Sequence, residues 1–187
     1  MIRPSLLLLP VLFWGCGSGT RSCLDPSRRS AEDPEAIRIK PHHFVDIITS
    51  YGRGEEFKPH PYGHAVHTVA ERILSNRDVM LVMELGADDI CGPCKHNVGG
   101  VCDDVIDTSY RPQAPSRKQE WNLLIDERWC KRLELLQGDR LTARQFCERL
   151  RDRAGDITDI YREIPAEMTA ERVKAMREGV RRFLQGP

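Results

Sequence analysis

The chain lacks a net charge, a membrane-length apolar run, an internal repeat and any low-complexity tract. Each absence removes a class of function. Its 28 basic residues are matched by 28 acidic ones, so no electrostatic excess points to nucleic acid or to an anionic membrane surface as partner. Its runs of charge, such as Glu148 to Arg153, mix both signs and read as a solvated helix face. With 187 residues, the chain is one domain plus a short appendage. The roughly 150 residues of that domain are enough to bury a core without covalent staples.

The appendage is N-terminal. Arg3 precedes an apolar run from Leu6 to Trp14, broken by Pro10. That run is far shorter than the roughly 20 apolar residues a spanning helix needs, but it suits the core of an export signal. No small-x-small cleavage site follows. Phe13-Trp14-Gly15-Cys16 instead resembles a bacterial lipobox, whose cysteine becomes a lipidated first residue. Residues 1–16 are therefore expected to be a lipoprotein signal, with acylation of Cys16 tethering the protein to a membrane surface outside the cytoplasm. The competing expectation is a start codon placed too early and a cytoplasmic protein beginning near Ile37. Residues 17–36, rich in Ser, Arg, Asp, Pro and Gly, read as a flexible tether in both cases.

The domain, residues 37–187, is expected to be mainly α with a minor β component. Ile37 and Ile39 alternate with Arg38 and Lys40 as a short strand, and Pro41 opens a helix through about Ser50, stopped by Gly52 and Gly54. A second helix is expected from about His64 to Asn76, and Val79 to Leu85 has the length and composition of a strand. The stretch from Gly86 to Ser116 reads as a long loop, and a loop of that length in a small domain is usually functional or held by something. Helices follow: one over Arg117 to Gln137 with Gly138 as its stop, one opened by a capping box of Thr142 and Gln145, and a last one capped by Thr169.

The loop carries the chemistry. Cys91-Gly92-Pro93-Cys94 is followed, after seven residues, by Cys102. Two residues between cysteines let both sulfurs turn to one point, and Gly99 with Gly100 lets the chain fold back to bring Cys102 there. Three converging thiolates repel one another, so a cation is the natural resolution. Zinc takes four cysteines, or three with a histidine, and iron–sulfur clusters take mostly cysteine. A fourth ligand is sought among His43, Asp46, His96 and Cys130. All six histidines lie between His42 and His96, and His42 or His43 with Asp46, and His64 with His67, stand at helical spacing. Cys147 sits on an apolar stripe and reads as core. Asp88, Asp89, Asp103 and Asp104 flank the cysteines and read as a solvated loop, with tuning of the centre or binding of a hard cation as the alternative.

Two other readings compete. Cys91 and Cys94 match the active-site string of thiol–disulfide redox proteins. An exported chain also permits structural disulfides or structural zinc in a membrane-tethered interaction module whose protein partner the sequence does not name. Lys95, standing where the histidine of a c-type haem site is needed, argues against a c-type haem.

Ile37-Arg38-Ile39-Lys40-Pro41-His42-His43-Phe44, then Asp88-Asp89-Ile90-Cys91-x-x-Cys94 and Cys102, resemble the bacterial and archaeal family catalogued as domain of unknown function 1284. Gly138-Asp139-Arg140-Leu141-Thr142 resembles its later segment. The likeness covers roughly residues 37–150, leaving 151–187 as a helical extension. It implies an iron–sulfur protein of unassigned reaction. Where many members carry a further cysteine after the two histidines, this chain has Asp46.

Overall fold

The computed structural model describes residues 35–186, so the expected signal with Cys16, and most of the tether 17–36, lie outside the described residues. The chain runs β1 (Ile37–Ile39), α1 (Pro41–Arg53), α2 (Val66–Ser75), β2 (Met80–Met83), β3 (Asn97–Val98), β4 (Val101–Cys102), α3 (Lys118–Leu133), β5 (Arg140–Thr142), α4 (Ala143–Arg153) and α5 (Ala166–Gln185). The expected class, mainly α with a minor β component, is the one observed. Strands β1 and β2 pair in parallel, Ile37 opposite Leu81 and Ile39 opposite Met83, and β5 adds antiparallel to β2. Among the described residues no helix is long and apolar enough to cross a membrane.

Helix α1 is the hub. Pro41 starts it, because a first-turn position needs no N–H and proline pre-sets the backbone. Its apolar face, Phe44, Val45, Ile47 and Ile48, is buried, and Phe44 stacks on Phe146 of α4 at 4.2 Å between ring centres. Gly54, with φ of 74°, ends it. Gly52 does not stop the helix as its sequence position implied. It lies within α1, where a side chain would collide with the Ala175 carbonyl of α5, just as one at Gly179 would collide with the Ile48 carbonyl. The two glycines let the helix backbones touch. The segment that looked like an extension therefore supplies a core helix.

Two other boundaries differ from expectation. Helix α3 ends at Leu133 with Glu134 left-handed, and Gly138 serves instead in the turn into β5, donating its N–H to the Met83 carbonyl at 2.8 Å. Thr169 does not cap α5. The helix opens three residues earlier behind Pro165, and Thr169 is buried with its hydroxyl turned back to the Pro165 carbonyl. The Thr142–Gln145 capping box of α4 is present in both directions. Between α4 and α5, the Arg128–Glu163 pair at 2.8 Å and the bond from the Trp129 indole to the Tyr161 hydroxyl at 3.0 Å hold the connecting segment to α3.

Candidate metal centre

Of the four acids that flank the cysteines, Asp103 is exposed but Asp88 is not solvated. Asp88 is buried to 3% exposure, and its carboxylate ties three parts of the chain together. It accepts the Lys40 N–H at 2.9 Å, the Cys91 N–H at 2.9 Å and the His43 Nδ1 at 2.7 Å. Asp89 accepts the Arg38 N–H at 2.9 Å, which stitches the loop along β1. A buried carboxylate survives only when such donors replace water. Burial alone raises the Asp88 pKa, but the His43 and Lys40 charges and hydrogen bonds outweigh it and hold the carboxyl far below the usual range.

His43, Asp88 and Cys91 place one ligating atom each within 4.8 Å of one another, a group able to hold a metal ion. Lys40, itself buried, donates from Nζ to the Cys91 sulfur at 3.1 Å. Burial and then the Asp88 charge push the Cys91 thiol up to about 11, against the opposing pull of Lys40. At neutral pH this thiol keeps its proton unless a metal displaces it.

Past Cys91 the chain makes a turn, with the Cys94 N–H on the Cys91 carbonyl at 2.9 Å. It then enters a hairpin in which Asn97 faces Cys102, closed by Gly99 and Gly100 at φ of 63° and 87°. Two left-handed central residues are what a two-residue hairpin turn requires, so this glycine pair sets the position of Cys102. Cys91, Cys94 and Cys102 consequently line one void of about 20 Å³, together with Lys40 and His96, although no three ligating atoms of these cysteines and His96 come within 4.8 Å of one another as those of His43, Asp88 and Cys91 do. That is room for about one water-sized body. The His96 Nδ1 is bound to Asp103 Oδ1 at 2.8 Å, which leaves Nε2 as its free ring atom. A histidine held from behind by a carboxylate is the usual arrangement of a metal ligand.

Of the remaining candidate ligands, two are placed elsewhere. Asp46 pairs with Arg172 of α5, and Cys130 is buried in the apolar core on α3. The core reading of Cys147 holds. The five cysteines among the described residues form no disulfide. No helix starts at Cys91, so the dipole that activates the first cysteine of a redox C-x-x-C is missing.

The histidines divide into groups. His42 is buried, and its backbone N–H and ring Nδ1 both reach Asp126, fully buried on α3, at 2.8 Å. The His42 and His43 rings lie 4.3 Å apart. His64 precedes α2 and stacks on His60 at 3.9 Å. Burial, then the nearby His60 and His43 charges, lower its pKa to about 4. The Nδ1 atoms of His64 and His67 are buried without a hydrogen-bond partner among the described residues. The sequence does not single out Lys40 or Asp126, and it marks Asp88 without its burial, because nothing local marks an acid or a lysine for burial.

Compared with protein-family models, with curated proteins and with solved structures, the chain gives no match.

Proposed function

We propose that this chain is a metal-binding protein whose ion is held by Cys91, Cys94, Cys102 and His96. The observation that carries the reading is the shared void of about 20 Å³ lined by all four side chains. A set of three thiolates and one histidine suits a single tetrahedral ion such as zinc, and an iron–sulfur cluster is the alternative occupant of the same sulfurs. The motif resemblance to the domain of unknown function 1284 family, which no family-model match accompanies, is what keeps iron–sulfur as the alternative occupant.

Charge balance supports the same reading. A divalent ion with three thiolates carries one net negative charge, and the buried Lys40 ammonium beside Cys91 offsets it. On binding, the ion takes the place of the thiol protons, which leave to solvent. Asp88 holds the Cys91 N–H and the Lys40 N–H, and so fixes the sulfur relative to the void. A centre with four protein ligands is closed, and its role is to order the loop rather than to present a reacting water. A single-ion centre also suits an exported chain tethered through Cys16, because it needs no cluster assembly in the cytosol.

Cobalt(II) titration of the metal-depleted chain tests the ligand set, since thiolate-to-cobalt charge transfer reports sulfur ligation and the visible bands report tetrahedral geometry. The expected result is that Cys94→Ala and Cys102→Ala lose the charge-transfer intensity, that His96→Ala loses the tetrahedral signature, and that His43→Ala keeps both. If His43→Ala abolishes binding while His96→Ala leaves it intact, the ion belongs to the His43, Asp88 and Cys91 group instead.

A further inference from the structure

A second cavity lies on the other side of His43. It is a cleft of about 340 Å³ between α1, the stretch before α3, α3 and α5, which is within the size range of small-molecule sites. Its charge is lopsided: Arg53, Arg111, Lys118 and Arg172 face it, and Asp46 is the one acidic residue on its lining. Three of these cations are already paired, Arg172 with Asp46, Lys118 with Asp104 at 2.8 Å and Arg53 with Glu55 at 3.4 Å. Arg111 differs. Among the described residues its hydrogen bond runs from Nε to the Asp107 carbonyl at 2.8 Å, and its charge also acts on the Asp107 carboxylate without an ion-pair contact to it. Its guanidinium is instead flanked by the Tyr110 and Trp121 rings, at 4.9 and 5.0 Å from their centres. Two aromatic rings thus flank that cation on the lining of the cleft, and its terminal nitrogens make no hydrogen bond among the described residues.

The opposite wall is as ordered. His42 and His43 both line the cleft, and each has its Nδ1 fixed by a buried carboxylate. The second ring nitrogen of each is left for whatever occupies the space. At the rim, Tyr110 is 37% and Met168 50% exposed, an apolar lip on a cationic floor.

We propose that this cleft binds a small organic anion, one carrying a carboxylate or phosphate head on an apolar body. Arg111 meets the head, and the rim residues with Trp121 cover the body. A planar guanidinium matches either head in a two-point fork. The proposal shares His43 with the neighbourhood of the metal centre but does not depend on an ion being bound.

The test uses the full chain as purified, with metal content measured on the same sample. Binding of benzoate, phenyl phosphate and benzylamine is followed by calorimetry and by protein NMR at low ionic strength, for the parent chain and for Arg111→Gln. Benzoate or phenyl phosphate is expected to bind at millimolar concentration or below and benzylamine not at all, and the stronger of the two anions identifies the head. Arg111→Gln is expected to weaken that anion at least tenfold while melting temperature and metal content stay as in the parent. Should that variant prove less stable, Arg111→Lys, which keeps the charge but loses the two-point fork, serves as the second, with a loss in the same direction. Failure of both anions to bind, equal binding of benzylamine, or unchanged affinity in a folded variant overturns the proposal. None of these outcomes touches the metal reading, which Cys94→Ala addresses separately.

Discussion

Two neighbouring histidines at the start of α1 are held by two buried aspartates, and the pairs differ in what stands behind the carboxylate. Asp126 sits on α3 among Ile125 and Trp129, so the His42–Asp126 pair joins two helices already packed by apolar contact. Asp88 sits in irregular chain, and the His43–Asp88 pair fastens a cysteine loop that has almost no core of its own to α1. Gly92, Pro93, Val98, Gly99, Gly100 and Val101 in that loop are exposed. Similar geometry therefore does different work. One pair is part of the fold, and the other attaches the site that we propose an ion orders further.

The sharpest way to break that contrast is Asp126→Ala. It leaves a buried histidine ring and a helix N-terminal N–H without their acceptor, and breaking a buried pair in this way costs about 3–5 kcal/mol. Urea denaturation is expected to show a loss of that size in global stability, with cobalt affinity retained in whatever fraction folds. A loss below about 1 kcal/mol would mean that Asp126 is no more structural than a surface partner.

Asp88→Ala is expected to do the reverse. Global stability falls by about 1–3 kcal/mol for the unpaired donors, while metal affinity falls by about 10–100-fold, as it does when a carboxylate behind a metal site is removed. Hydrogen exchange sharpens the comparison further. Chelation is expected to speed exchange at the amides of Cys94, Asn97, Cys102 and Asp103, which bond within the loop or from it to Gln119, by about tenfold or more and to leave α1, α3 and α5 unchanged. Equal acceleration in the helices would show that the loop and the core unfold as one unit.

The smallest effect expected is a pH dependence from His64. Its folded pKa of about 4 lies below its ordinary 6.5. The unfolded chain therefore binds the proton more readily, and stability declines as pH falls through the window between those two values. His64→Gln is expected to flatten the melting-temperature profile in that window. An unchanged profile would show that the ring is not held neutral by its surroundings.

Much of the frame was legible because local rules governed it. Alternation at Ile37 and Ile39, the proline at position 41 and the Thr142–Gln145 box each act within a few residues, and each has its expected consequence. Glycines were legible only where a turn used them. Gly99 and Gly100 close a hairpin as their pairing suggested, whereas Gly52 and Gly179 serve a contact between helices more than 100 residues apart in sequence. The cysteines announced themselves by spacing, but the groups that set their environment did not. Lys40 belongs to β1's end, Asp88 looked like one of four solvated acids, and Asp126 stands in an ordinary charged stretch of α3. Their burial arises from tertiary packing, and no window of sequence contains it.

The central claim is that Cys91, Cys94, Cys102 and His96 hold one ion, and its most direct test is the metal and acid-labile sulfide content of the full chain purified anaerobically, beside Cys94→Ala. The account predicts one equivalent of a divalent metal such as zinc, no sulfide, and loss of the metal in the variant. Iron with stoichiometric sulfide would contradict the single-ion reading, and a folded chain free of any metal would contradict the centre itself.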